Sequence, residues 1–138
     1  MSLLLIVHFA CTWMLVGLIW VIQVIVYPQF LRVGVTEFTK LHLAHCWRIG
    51  LLIAPLLAVE TVSAAGLLYQ GHRERALLAS IALIPLNWLW TAILQAPIHI
   101  KLMQGYDAAV IRRLILSNWP RTLTWTARGV LMIYAVAR

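Results

Sequence analysis

Apolar residues in this chain run in long blocks and do not alternate. Three windows, residues 3–27, 49–68 and 76–96, are almost wholly apolar. Each reaches the roughly 20 residues that an α-helix needs to cross a bilayer. A fourth block, 118–137, matches them in length but carries Arg121 and Arg128. The separators hold turn and charge signals: "YPQFLRVGVTEFTK", "QGHRER" and "PIHIKLMQGYD". The pattern predicts an all-α, four-helix transmembrane bundle forming a single domain over residues 1–138. The segment "AAVIRRLILS", 108–117, is short and apolar apart from two arginines. It predicts a short interfacial helix before the fourth span. Asn118 is placed to cap that span, with Pro120 in its first turn.

Composition strengthens this picture. The chain is 63% hydrophobic and 11% charged, whereas soluble domains are closer to half apolar and a quarter charged. The first window is too long for a signal-peptide core and has no basic residue before it, so it is expected to be a retained helix. The net charge of +7 sits mostly in short loops, which excludes nucleic acid as a partner and points to the lipid bilayer. Loops 1 and 3 share Arg32, Lys40, Arg48, Lys101, Arg112 and Arg113, against Arg73, Arg75 and Arg138 on the other face. That excess predicts loops 1 and 3 on the cytoplasmic side of a bacterial inner (plasma) membrane. Tyr27, Trp47, Tyr69, Trp119 and Tyr134 fall near span ends, as an interfacial belt would. Cys11 and Cys46 approach opposite faces, which argues against a disulfide.

The arginines carry the first functional signal. Asn118, Arg121, Trp125 and Arg128 step by three and four and share one helix face. A charged side chain deep in a bilayer costs several kcal/mol and normally faces the bundle interior. Arg121 lies near the end of its span and can snorkel. Arg128 needs a partner, and Glu60 is the only acidic residue inside a span. Counted from the loop-2 face at 1.5 Å per residue, Glu60, Asn87 and Arg128 all lie about ten residues deep. The count predicts a mid-membrane layer of these three, with Thr12 at similar depth. A pair that only fixes helix register and a layer that also serves a site are both open readings.

A second polar layer gathers His42, His45, Gln95, His99, Asn118, Arg121 and Gln23 near the loop-1 and loop-3 ends. If helix 2 starts early, near Thr36, His42 and Glu60 lie five turns apart on one face. His42, His45 and His99 offer a three-histidine metal site, and a His pair from helices 2 and 3 could ligate a haem. His45, His99, Gln95 and Trp119 are the residues placed to hold such a cofactor. Without a metal, Glu60, Arg121, Arg128 and Asn87 are the catalytic candidates: the histidines move protons and the arginines hold an enolate, phenolate or carboxylate. The tryptophans fit a flat hydrophobic substrate, or simple packing at the lipid interface. His8 is expected to be structural or lipid-facing, and His72 to lie on a loop surface.

"W..TAILQAPIH" succeeded by "NWPRTLTWTARG" resembles small, uncharacterised bacterial four-helix membrane proteins. The islands "YP", "LHLAH", Glu60 and "QAPIH" extend that resemblance over most of the chain. More loosely, the tryptophan and arginines of the last span resemble the anthrone oxygenase-like family. That likeness implies oxidation of a polycyclic aromatic substrate within the membrane, with Trp119, Arg121 and Arg128 as site residues.

The sequence supports three readings. One is a membrane-embedded oxidoreductase or oxygenase acting on a hydrophobic small molecule, with a metal ion or haem as candidate cofactor. Another is a small oligomeric transporter or channel using Glu60 and Arg128. The third is a non-catalytic membrane subunit or assembly factor within a larger complex.

Overall fold

The computed structural model describes residues 2–137, so Arg138, one of the basic residues of the loop-2 face, lies outside the described residues. Four long helices make the bundle, and the chain is 89% helical with no strand among the described residues. Helix α1 spans Leu3–Arg32, α2 Val35–Tyr69 and α3 Arg75–Leu102. A short α4, Ala108–Ser117, precedes α5, Trp119–Val136. The first three long helices are long and apolar enough to cross a membrane, which is compatible with an integral membrane protein.

The long helices overrun the apolar windows. Helix α2 starts at Val35, well ahead of residue 49, because nothing between Gly34 and Pro55 breaks a helix. Its first turns are amphipathic: Phe38 and His42 are buried while Glu37 is exposed. Helix α3 continues past Ala96 to Leu102. Ser2 caps α1, its Oγ accepting from Leu5 N at 3.3 Å.

Two of these helices contain a π-helical turn, at Ile22–Val26 and Thr91–Gln95. Tyr27 N donates to Ile22 O, and Ala96 N donates to Thr91 O, five residues back in each case. Each π turn lies just before a proline, Pro28 or Pro97, whose missing N–H and bulky ring disrupt the ordinary ladder.

The predicted short helix exists. Asp107 caps α4, its carboxylate accepting from Val110 N at 3.0 Å. Val110, Ile111 and Leu114 sink into a cluster with Tyr27, Phe30, Phe38, Ile98 and Leu102. Asn118 departs from its expected role as a side-chain cap. Its backbone stays helical, so α4 runs almost directly into α5, and its side chain is free to turn inward.

Around the bundle the order is α2, α1, α5, α3. Helix α5 packs closely on both α3 and α1. Gly129 makes the α1 contact possible: a Cβ there would lie 3.1 Å from Val16 Cγ2 and 3.2 Å from the Trp13 ring. The remaining edge, between α2 and α3, is closed mainly near loops 1 and 3, where His42 meets His99.

Candidate functional site

Arg128 Nη1 donates to Glu60 Oε1 at 2.6 Å, and neither side chain is exposed. Thr12 Oγ1 lies 3.4 Å from the same carboxylate oxygen and donates to His8 O at 2.9 Å. Arg128 Nε donates to Ser80 O at 3.0 Å, and Ser80 Oγ returns a bond to Arg128 O at 3.3 Å. The Trp125 ring lies under the guanidinium, 4.7 Å from its carbon, a favourable cation–π distance. His8 Nδ1 pairs with Ser63 Oγ at 2.8 Å, so His8 is a buried structural group. All four long helices thus meet in one layer.

Asn87 is not bonded into that layer. Its two side-chain polar atoms have no protein partner, and it lines a cleft instead. The depth count placed it level with Arg128, but α3 meets Arg128 through Ser80, seven residues earlier. At 1.5 Å per residue that is roughly 10 Å along the helix.

The second polar layer is a chain of rings. His42 Nε2 lies 3.0 Å from His99 Nδ1, and His99 Nε2 lies 3.0 Å from the Tyr27 hydroxyl. The two imidazoles are nearly parallel, 5.2 Å between centroids and 19° apart. Phe38 stacks on the other side of His42 at 5.5 Å. Cys46, one turn after His42, puts Sγ 3.7 Å from His42 Nε2 and 3.8 Å from His99 Nδ1. The π turns bear directly on this cluster: each adds a residue to its helix just before Tyr27 or His99, which resets the face on which the side chain emerges.

His45 stands apart. Its ring is 6.2 Å from His99 and 6.5 Å from His42, and the donor atoms that converge are those of His42, Cys46 and His99. The three histidines expected as a metal set are not all brought together: at i+3 His45 turns toward the adjoining cleft, while Cys46 at i+4 stays beside His42. The His42–His99 pair as it stands is too close to hold one haem iron between its nitrogens. Two imidazoles holding one iron need nitrogens roughly 4 Å apart, twice a metal–nitrogen bond, across a porphyrin plane. These nitrogens are 3.0 Å apart.

Between α2 and α3, with α1 and α5 behind, lies a cleft of about 590 Å³. Its walls are mostly aliphatic, with Trp88 and Trp125 as aromatic panels. Small residues, Gly50 and Ala54 on α2 and Ala92 and Ala96 on α3, keep it open at the side. Tyr27, His45, Cys46, Asn87, Gln95, His99 and Arg121 supply the polar groups. Gln95 Nε2 donates to Ser117 Oγ at 3.1 Å, leaving Oε1 unpartnered. Arg121 Nη1 donates to Asn118 Oδ1 at 3.0 Å, leaving Nε unpartnered. Behind Arg121, Gln23 Oε1 accepts from Asn118 Nδ2 at 2.9 Å and from Thr122 Oγ1 at 3.1 Å. That knot ties α1 to α5 and fixes the arginine's mount.

The structure therefore sorts the candidates into two groups. Arg121, Asn87, Gln95, His45 and His99 line the cleft, with His42 just behind. Glu60 and Arg128 form the closed layer and do not line it. Trp119 faces outward, 38% exposed and edge-on to Trp20. Tyr27, expected in an interfacial belt, is buried and bonded to His99. Cys46 was weighed only as a disulfide partner for Cys11; its spacing of four from His42 was the available signal for a place in this cluster. No protein-family model, curated protein or solved structure matches this chain. An apolar cleft with a few polar side chains in its wall is the usual form of a small-molecule site.

Proposed function

We propose that this protein is an oxidoreductase embedded in the bacterial inner membrane, with loops 1 and 3 cytoplasmic, that oxidises a flat, lipophilic, oxygen-bearing molecule. The observation that carries the reading is the sideways-opening apolar cleft whose lining includes Asn87, Gln95 and Arg121, each with an unpartnered polar atom buried in the wall. An apolar ring system enters from the lipid between α2 and α3 and lies against Trp88 and Trp125. Its oxygen meets Arg121, whose fixed charge favours an enolate or phenolate over the neutral form. His45, which makes no side-chain hydrogen bond among the described residues, accepts the proton. The electron-rich anion reduces dioxygen: a ring methylene plus O2 becomes a ring ketone plus water. The resemblance to anthrone oxygenase-like proteins supports this substrate class.

The Glu60–Arg128 layer supports a structural part in the same protein. It is closed to the cleft and joins every long helix, as a register-fixing device would.

The test uses protein in lipid nanodiscs with an anthrone-type polycyclic substrate, monitoring oxygen uptake and quinone absorbance. Wild type is expected to turn over, Arg121→Met and His45→Ala to lose at least ~10²-fold in rate, and Trp119→Phe to stay near wild type. Absence of both binding and turnover across a panel of lipophilic ketones and phenols overturns the reading.

A further inference from the structure

We infer that His42 Nε2, His99 Nδ1 and Cys46 Sγ form a three-ligand site for a late transition-metal ion of the zinc or copper class. The argument is geometric. A tetrahedral ion with metal–nitrogen bonds of about 2.0 Å and a metal–sulfur bond of about 2.3 Å sets its ligand nitrogens about 3.3 Å apart and each nitrogen about 3.5 Å from the sulfur. The three atoms stand 3.0 Å apart for the nitrogens and 3.7 and 3.8 Å for the nitrogen–sulfur distances. One ion held by the three atoms, displaced from their plane, needs distance changes of a few tenths of an ångström and a tilt of the two imidazole rings toward it.

Three further features support a metal over a plain hydrogen-bonded histidine pair. Metal-ligating imidazoles are normally held by a hydrogen bond to their other nitrogen, and the Tyr27 hydroxyl sits 3.0 Å from His99 Nε2. The ligands come from two helices, α2 supplying His42 and Cys46 one turn apart and α3 supplying His99 from beyond its π turn. The donor set of two imidazoles and one thiolate is that of zinc and copper centres, whereas magnesium and calcium take oxygen ligands. Because His99 and Cys46 also line the cleft, a fourth coordination position opens toward it, as catalytic and not structural sites require. The inference stands apart from the oxidation reading, since an ion could bind there whether or not a substrate is oxidised.

The test uses full-length protein in mild detergent, cobalt(II) as the probe, and three variants: Cys46→Ser, His99→Gln and His45→Ala. Wild type is expected to bind one cobalt per chain with a thiolate charge-transfer band and tetrahedral d–d bands. Cys46→Ser is expected to lose the charge-transfer band and at least tenfold in affinity, and His99→Gln to weaken binding similarly. His45→Ala is expected to keep both the band and the affinity. X-ray absorption on wild type gives a readout that no variant's folding can disturb, with one sulfur and two imidazole nitrogens expected as ligands. A ligand set without sulfur, loss of the band in His45→Ala alone, or folded wild type that binds no cobalt overturns the site. Cobalt bound without substrate oxidation upholds the site and removes the oxidation reading; oxidation by protein that binds no metal does the reverse.

Discussion

Arg128 reaches Glu60 across 68 residues of sequence to make a 2.6 Å ion pair with no exposed surface on either side chain. Breaking a buried pair by removing one partner leaves a stranded charge and costs about 3–5 kcal/mol. Glu60→Leu and Arg128→Leu are each expected to destabilise by that order. The double variant is expected to lose clearly less than the sum, because the stranded charge is gone. Unfolding in detergent, monitored by circular dichroism, measures all three, and strictly additive losses would show that the pair does not couple.

Gly129 carries a packing prediction independent of charge. The close approach of Val16 and Trp13 leaves no room for a branched side chain. Gly129→Val is expected to cost about 1–3 kcal/mol by overpacking and to lower the melting temperature. Gly17, whose Cβ would meet nothing within 4 Å, is the control, and Gly17→Ala is expected to be neutral or stabilising. Equal melting temperatures for the two variants would remove the argument.

Pro97 is expected to maintain the π turn that aims His99. Pro97→Ala restores a backbone donor, which lets the turn relax to an ordinary α-helix. Removing one residue's worth of bulge rotates the C-terminal remainder of α3 by about 100°, carrying His99 away from Tyr27 and His42. Cobalt affinity is expected to fall tenfold or more while helicity holds. Unchanged affinity in a folded variant means packing, not proline, sets the turn.

The cleft can be filled without touching its polar groups. Ala54→Leu and Ala92→Leu each place a branched side chain at its open edge. Both residues are exposed, so stability is expected to change by no more than about 0.5 kcal/mol. Quenching of tryptophan fluorescence by a lipophilic quinone, read through Trp88 and Trp125, is expected to weaken at least tenfold. Wild-type quenching in both variants would move the binding site elsewhere.

Some of this was legible in the sequence because charge is scarce. With one acid and one deep arginine inside the apolar windows, counting depth was enough to pair Glu60 with Arg128. The same ruler misplaced Asn87, since it assumed that residues at equal depth meet, whereas the long Arg128 side chain reaches Ser80 on α3. Helix ends were legible only where apolarity ended. Helix α2 is amphipathic before residue 49, so its early start was conditional, and Cys46 was not seen one turn from His42. The π turns escaped because every face was drawn with 3.6 residues per turn. "YP" and "AP" were the local signals, each marking a proline that interrupts an otherwise continuous helix. Tyr27 was assigned by its position near a span end, a rule that cannot tell a lipid-facing ring from one folded inward by a π turn.

The separation of Glu60 from Arg128 along the chain also sets an order of events during synthesis. At roughly 5–20 residues per second, Glu60 is made on the order of several seconds before the arginine that completes it. The last helix carries two arginines and gains a place for one of them only when the earlier three are already gathered around Ser80 and Glu60. Each newly made chain therefore passes through a three-helix stage with an unanswered carboxyl group. A nascent polypeptide stalled before Trp119 would stay at that stage, holding without its arginine a carboxyl group that the finished protein buries completely.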